Sequence, residues 1–298
     1  MTGDVELRIA RPLPPFTGGP APDPEAVLYL LDGDLYFGTA TETTRLLNQF
    51  MGELPPILVV GVGYGVEDPA LQAELRTRDC TPSKSGELGA MAGSWGREPA
   101  LPEGERMGGA DDFLDLLERG VRPFVEARFP VAGAPAVLFG SSLGGLLGAW
   151  ALVTRPALFD AWILVSPSLW WDDGVALRRE REAAAAGTPV SGRVYLGVGS
   201  REEGTGIPHL DDFRLVSNTR LLGERLRARI ADETGHGSGE GASGVGAPSP
   251  GTTARGGPTG TAVTVEVLDG ETHTSVVPRA LLTGLRAVLP PSPPPAGP

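Results

Sequence analysis

The residues best suited to covalent chemistry lie in a glycine-flanked segment near the middle of the chain. Gly140-Ser141-Ser142-Leu143-Gly144 matches the pattern G-x-S-x-G, with the apolar residues 136–139 before it and the helix-compatible residues 143–154 after it. A serine in a strained turn between a strand and a helix presents its hydroxyl as a nucleophile, and the flanking glycines leave room for that turn. The pattern predicts nucleophilic catalysis by Ser142. A glycine-rich turn without catalytic function is the alternative.

A serine hydroxyl is a weak nucleophile at neutral pH and needs a positioned base. The chain has three histidines. His236 falls in a segment that we predict to be disordered, and His209 falls in a loop with no special placement. His273 follows the last predicted strand. We therefore expect His273 to be the general base.

The acid that orients the base is expected between Ser142 and His273, because strand-turn-helix serine sites keep the order serine, acid, histidine. Two carboxylates follow the predicted strand 193–198 directly. Glu202 is the preferred acid and Glu203 the second choice. Asp211 and Asp212 follow as further candidates.

An oxyanion hole requires two backbone N–H groups aimed at the developing negative charge. The N–H of Leu143, the residue after the nucleophile, is the first expected donor. The second should come from the turn after the first buried strand, which is Asp32-Gly33-Asp34. We nominate the N–H of Asp34, and an unrelated tight turn is the alternative.

Alternating strands and helices surround these residues, which predicts an α/β fold with a mostly parallel sheet. Continuous apolar runs such as 26–31 are typical of strands buried on both faces. The predicted strands are 26–31, 56–64, 136–139, 161–165, 193–198 and 261–268. The predicted helices are 39–52, 110–128, 143–154, 174–185, 211–231 and 275–288.

One catalytic domain over residues 25–289 accounts for this order of elements. Residues 1–24 are predicted to be an arm or irregular strand, and the proline-rich residues 290–298 a flexible tail. Residues 67–109 lack periodicity and are predicted to be a lid-like insertion. Residues 234–260 are rich in glycine, serine, proline and threonine, which predicts a disordered loop.

The composition excludes several classes of function. A formal charge of −12 with no basic cluster argues against nucleic-acid binding. No apolar run approaches the roughly 20 residues of a membrane span. Cys80 is the only cysteine, which excludes an internal disulfide and a thiolate metal cage. The first six residues lack the basic and apolar regions of a secretory signal, so we predict a cytoplasmic protein.

Several motifs in order together resemble one known family, the putative esterases grouped with enterochelin (ferric-siderophore) esterases and with esterase D. These motifs cover most of residues 26–285 and are 29–34 (YLLDGD), 60–64 (VGVGY), 76–82 (RTRDCTP), 108–110 (GGA), 139–146 (FGSSLGGL), 166–171 (SPSLWW) and 272–273 (TH). Members often carry His where Ser141 stands here, and the 234–260 insertion is unusual.

The resemblance implies an α/β-hydrolase fold, with a mostly parallel central sheet and helices on both faces. It implies a serine carboxylic-ester hydrolase that uses no metal or cofactor and acts on a small-molecule ester. Relatives of this kind cleave the trilactone backbone of catecholate siderophores. An acyltransferase with the same triad and a non-catalytic binding protein of the same fold are the alternatives.

Four further residues, two tryptophans and two arginines, are candidates for substrate binding. Trp170 and Trp171 are expected at the pocket mouth, where paired indoles can stack on an aromatic substrate, although capping of the core fits them equally well. Arg78, together with Arg76, is a candidate for pairing with an anionic substrate group. A solvated or salt-bridged surface position is the alternative for both arginines.

Overall fold

A seven-stranded sheet forms the centre of the computed structural model, which describes residues 5–16, 18–49, 52–85, 100–236 and 260–289. The strands are β1 (Glu6–Ala10), β2 (Ala26–Leu31), β3 (Ile57–Gly63), β4 (Ala136–Ser141), β5 (Ala161–Val165), β6 (Arg193–Gly199) and β7 (Ala262–Leu268). Their order across the sheet is β1-β3-β2-β4-β5-β6-β7. β1 is antiparallel to β3, and the other neighbouring pairs are parallel.

Helices connect the strands. Within the described ranges they are α1 (Gly33–Gln49), α2 (Pro69–Cys80), α3 (Ala110–Leu116), α4 (Arg122–Glu126), α5 (Leu143–Thr154), α6 (Trp171–Ala185), α7 (Pro208–Asp211), α8 (Leu215–His236) and α9 (Val276–Val288). A π-helical turn over Leu117–Val121 joins α3 to α4. These three pieces together correspond to the predicted helix 110–128.

Two apolar cores lie on opposite faces of the sheet. In β2, Val27, Tyr29 and Leu31 belong to one core, while Leu28 and Leu30 belong to the other. Helices α1 and α9 contribute to the second core, and α2 to α6 and α8 contribute to the first. The prediction of a mostly parallel sheet with helices on both faces is confirmed. Because side chains alternate along a strand, central strands covered on both faces are apolar throughout.

The predicted strands are all present, with ends within two residues of the expected ones. The helix starts differ more. α1 begins at Gly33 instead of residue 39, α6 at Trp171 instead of 174, and α8 at Leu215 instead of 211. Helix ends depend on caps and local turns, which apolar periodicity does not report.

The prediction of a structureless insertion over 67–109 is wrong for α2. The Asp68 carboxylate caps this helix by accepting the Ala70 N–H at 2.9 Å, and Pro69 occupies its first turn. α2 buries only Asp79 and Cys80 fully, so it lacks the apolar stripe by which a helix is usually predicted. Residues 86–99 lie outside the described residues.

Described parts of the predicted arm and loop form regular secondary structure. Residues Glu6–Ala10 of the predicted 1–24 arm form the antiparallel edge strand β1. Helix α8 continues to His236, three residues into the predicted 234–260 loop. The rest of that loop, 237–259, and the predicted tail, 290–298, lie outside the described residues.

Candidate active site

Ser142 stands at the junction of β4 and α5 in a strained backbone conformation. Its φ is 57° and its ψ is −115°, a combination that non-glycine residues rarely adopt. The Ser142 N–H donates to the Val165 carbonyl at 2.9 Å, which holds the turn against β5. Backbone strain of this kind persists where the surrounding structure enforces it, often at functional sites. The turn has the geometry expected of a nucleophile elbow.

Glycines allow close packing both in this turn and in the helix that follows it. A Cβ atom on Gly140 would lie 2.3 Å from the Gly144 carbonyl oxygen, closer than any side chain tolerates. A Cβ on Gly148 would lie 2.3 Å from the side chain of Leu164, so α5 approaches the sheet closely. The tight packing therefore begins in the turn and continues along the helix that follows it.

Glu202 and His273 meet at the carboxyl edge of β6 and β7. His273 Nδ1 lies 2.5 Å from Glu202 Oε2. The Glu202 side chain is 1% exposed, whereas that of His273 is 46% exposed. Glu202 ends a short turn after β6, and the Arg201 N–H donates to the Glu271 carbonyl at 3.0 Å, which joins the two loops. A buried carboxylate thus contacts the Nδ1 edge of a ring that is partly exposed to solvent.

The two neighbouring glutamates, Glu202 and Glu203, have different hydrogen-bond partners. Glu203 accepts the Ser217 N–H at 2.7 Å and its hydroxyl at 2.6 Å, so it caps the start of α8. Asp211 accepts the Thr205 N–H at 2.8 Å, and hydrogen bonds from Thr205 lower the pKa of this carboxyl. Of these carboxylates, Glu202 is the one in contact with the histidine.

The serine and the histidine are not hydrogen-bonded to each other. Both belong to the described residues, and the Ser142 hydroxyl contacts Ser168 Oγ at 3.4 Å instead. The Ser168 N–H donates to the Ser142 carbonyl at 3.1 Å. Two residues earlier, Ser166 donates its hydroxyl to Glu202 Oε1 at 2.6 Å. The sequence motif SPSLWW contained both serines, but no spacing rule assigned them to the site.

The expected oxyanion donors lie on two adjacent helix starts. Leu143 is the first residue of α5 and Asp34 the second of α1, where backbone N–H groups have no partner within the helix. A Cβ on Gly144 would lie 3.2 Å from Asp32 Oδ2, so the turn after β2 lies beside the elbow. The Asp34 carboxylate accepts the Tyr64 N–H at 2.7 Å. Donation to an oxyanion by Leu143 and Asp34 stays a prediction.

Arg76 connects the turn after β2 to the nucleophile strand. Its guanidinium binds Asp32 through two hydrogen bonds, of 2.6 and 2.9 Å, and donates to the Ser141 carbonyl at 3.0 Å. Burial acts to lower the pKa of Arg76, but the charge and hydrogen bonds of Asp32 outweigh it and raise that pKa above its ordinary value. Arg76 and Asp32 therefore form a structural ion pair at the edge of the site.

Arg78 forms a salt bridge within the chain, and its expected pairing with an anionic substrate stays a prediction. Its guanidinium binds the Asp79 carboxylate at 2.6 and 2.9 Å. The Arg78 side chain is 13% exposed and that of Asp79 is 1% exposed. The hydrogen bond to Asp79 raises the pKa of Arg78. Asp79 therefore occupies the Nε–Nη2 fork of the guanidinium.

The two tryptophans differ in their surroundings. Trp171 has no exposed surface and donates its indole N–H to the Ser83 carbonyl at 3.2 Å, so it belongs to the core. This corrects the expectation that Trp171 contacts substrate. Trp170 is partly exposed and stacks on Phe213, with ring centroids 4.2 Å apart and planes inclined by 17°. Phe213 was not predicted, because 43 positions separate it from Trp170.

The remaining candidates lie elsewhere. His209 lies in α7, and His236 is the last residue of α8.

Burial raises the pKa of the Cys80 thiol, which keeps it protonated and unreactive at neutral pH. Within the described ranges no group of three or more His, Cys, Asp or Glu side chains is placed to hold a metal ion. No helix in that part of the chain is long and apolar enough to cross a membrane.

The sequence of this chain is similar to those of known proteins. The sequence profile of the family described as "Putative esterase" matches residues 5–237. The chain belongs to the putative esterase family. A siderophore enterobactin esterase of Emericella nidulans is 34% identical over 211 residues, which are 67% of this chain and 66% of the relative. A siderophore triacetylfusarinine C esterase of Aspergillus fumigatus is 39% identical over 158 residues, 52% of this chain and 46% of the relative.

The fold of this esterase family member has close structural counterparts. The siderophore hydrolase EstA from Aspergillus nidulans superposes with a TM-score of 0.70 at 26% identity, covering 94% of this chain and 88% of that one. The predicted α/β-hydrolase fold is thereby confirmed. The two curated relatives are each matched over less than two thirds of their own length.

Proposed function

We propose that this chain hydrolyses carboxylic esters, with Ser142 as nucleophile, His273 as general base and Glu202 as the acid that orients the base. The observation that carries the proposal is the 2.5 Å contact between a buried carboxylate and an exposed imidazole, on the sheet edge that also bears the strained serine. A carboxylate that accepts from Nδ1–H selects the tautomer whose Nε2 is free to accept a proton.

The proposed reaction has two steps. Ser142 Oγ attacks the ester carbonyl carbon while His273 takes the hydroxyl proton, and the carbonyl electron pair moves to the oxygen. Collapse of this intermediate breaks the ester C–O bond, and His273 returns the proton to the leaving alcohol. Water then cleaves the acyl-enzyme by the same route. The N–H groups of Leu143 and Asp34 are the proposed partners of the oxyanion.

The Ser142–His273 hydrogen bond is proposed to form in the substrate complex. Catalytic hydrogen bonds are often long or poorly aligned without substrate and tighten once it binds. The Ser142 hydroxyl contacts Ser168 at 3.4 Å, a weak contact that a rotation about χ1 of Ser142 breaks. The partly exposed side chain of His273 leaves its ring open to the approach of an ester.

We propose siderophore-type esters as the substrate class. The relatives at 34% and 39% identity are named as siderophore esterases. Trp170 follows Ser168 by two residues and forms a partly exposed stack with Phe213, which offers aromatic surface to an aromatic acyl group. A cytoplasmic location stays a prediction.

Labelling with a fluorophosphonate probe tests the nucleophile. We expect labelling of the native chain and none of Ser142→Ala, with His273→Ala labelled far more slowly because the hydroxyl loses its base. Ser141→Ala is the matched control, since it removes the adjacent buried hydroxyl and keeps that of Ser142. Labelling that survives Ser142→Ala contradicts the proposal.

A substrate panel tests the proposed class. The panel runs from short acyl esters to ferric catecholate trilactones, and we expect the trilactones to have the highest kcat/KM. Trp170→Leu should raise KM for aromatic esters about fivefold, since a contact between two aromatic rings contributes on the order of 1 kcal/mol. It should leave acetyl esters unchanged. Equal rates across the panel would argue against a siderophore substrate.

A further inference from the structure

Two serines on the segment after β5 contact different members of the proposed triad. Ser166 donates its hydroxyl to Glu202 Oε1 at 2.6 Å, and Ser168 contacts the Ser142 hydroxyl at 3.4 Å. Both are buried, with 0% and 3% of their surface exposed. β5 lies between β4 and β6, so the segment that follows it separates the serine from the carboxylate.

The Glu202 carboxylate is held from two sides. Oε1 accepts the Ser166 hydroxyl at 2.6 Å and the Gly199 N–H at 2.6 Å. Oε2 is left for His273 Nδ1. Because the carboxylate is buried, each donor stabilises its charge and limits its rotation more than in water. The direction in which Oε2 points is therefore fixed by the donors on Oε1.

Ser166 itself occupies a backbone position that does not favour serine. Its φ is 45°, in the left-handed region where glycine, asparagine and aspartate are preferred. Its N–H donates to the Gly197 carbonyl at 2.7 Å, which fixes the conformation. A glycine would adopt this backbone without strain but would offer no hydroxyl. The presence of serine points to a need for its side chain.

We propose that Ser166 is a positioning residue whose hydroxyl orients Glu202 so that Oε2 selects the Nδ1–H tautomer of His273. This inference rests on the proposed function, since it concerns the same histidine. Ser166 acts through Glu202 and touches neither the ester nor the nucleophile. Its effect is on the ring that must accept the Ser142 proton.

The tautomer of His273 can be measured without any substrate. The chain has three histidines, so ring ¹⁵N shifts give a simple spectrum, and His273→Ala assigns the signal of interest. At about pH 8.5, where imidazole is neutral, we expect native His273 to be the Nδ1–H tautomer. Ser166→Ala should yield a mixture of both tautomers. Ser168→Ala, the same change on the same segment, should keep the native tautomer because its hydroxyl contacts Ser142.

Kinetics supply the second measurement. Ser166→Ala should lower kcat about 10- to 100-fold with little change in KM, as expected for a misplaced catalytic group. In a Glu202→Gln background the same substitution should change kcat by less than about threefold, because the two residues act as one unit. Additive losses would indicate a merely structural role and overturn the proposal.

Ser166→Gly covers the case in which alanine at a left-handed position does not fold. Glycine relieves the backbone strain and still removes the hydroxyl. We expect Ser166→Gly to fold, to lose the native tautomer and to lose activity. Retention of the Nδ1–H tautomer in either Ser166 variant contradicts the proposal. The native chain could lack esterase activity while its His273 tautomer still depends on Ser166. This result would refute the proposed function and leave the positioning role of Ser166 intact.

Discussion

The two halves of the candidate site are held by different kinds of interaction. The nucleophile half, the turn around Ser142, is held by backbone packing. Ser142 has a φ of 57°, and a Cβ on Gly140 would overlap the Gly144 carbonyl at 2.3 Å. The histidine half, Glu202 and His273, is held by hydrogen bonds to a side chain. The Glu202 carboxylate accepts hydrogen bonds of 2.5 to 2.6 Å from three partners. The first half is sensitive to added volume, and the second to the loss of one donor or acceptor.

This difference explains why sequence analysis located the two halves unequally well. Close backbone packing requires glycine at fixed positions, so the elbow leaves a pattern in the sequence. A hydrogen-bonded carboxylate needs only to reach its partners in space. Glu202 and Glu203 are adjacent, and the burial of one beside His273 distinguishes it from the other.

The largest expected effect is in the histidine half. Glu202→Gln should lower kcat by a factor of about 10⁴, because the amide cannot hold the histidine in the tautomer that accepts the serine proton. Glu203→Gln is the matched control, since the neighbouring carboxylate caps α8 through Ser217. It should lower the free energy of unfolding by about 1 kcal/mol and leave kcat unchanged. Steady-state kinetics and denaturant unfolding of both variants measure this contrast.

A larger effect of Glu203→Gln than of Glu202→Gln on kcat would reverse the assignment of the acid. Equal effects would show that neither carboxylate acts through His273.

The next largest effect is expected on stability, from breaking the ion pair between Arg76 and Asp32 that supports the nucleophile half. Arg76→Leu should lower the free energy of unfolding by about 3 to 5 kcal/mol, because it leaves the Asp32 carboxylate, 4% exposed, without its partner. Arg179→Gln is the control, since Arg179 and Glu182 form an exposed pair and its loss should cost at most about 1 kcal/mol. Urea unfolding measures both. Similar values for the two variants would mean that Arg76 does not support this edge of the site.

A smaller loss of stability than that of Arg76→Leu is expected from an added methyl group in the turn at Ser142. Gly140→Ala should lower the free energy of unfolding by about 1 to 3 kcal/mol, since its Cβ meets backbone that cannot move aside. It should also abolish fluorophosphonate labelling, because the turn that presents Ser142 opens. Gly38→Ala is the control in α1, where a Cβ would meet no atom within 4 Å, and it should stabilise the chain by about 0.5 to 1 kcal/mol. Unaltered labelling of Gly140→Ala would show that the elbow tolerates volume.

The amino-acid sequence by itself determined the sheet and the nucleophile turn. Central strands covered on both faces must be apolar throughout, so β2 to β6 were evident from their composition. The strand before Ser142 and the glycines around it predicted the turn, because only glycine fits there. The alternation of strands and helices along the chain and the position of His273 after β7 followed from the same pattern.

Only the tertiary structure decided which side chains meet. It placed Trp171 in the core and left Trp170 partly exposed on Phe213, although the two indoles are adjacent in sequence. It paired Arg78 with Asp79, formed α2 where no apolar stripe exists, and brought Ser166 to Glu202 across 36 positions. These outcomes depend on distances between segments far apart in the chain, and neither periodicity nor local spacing contains those distances.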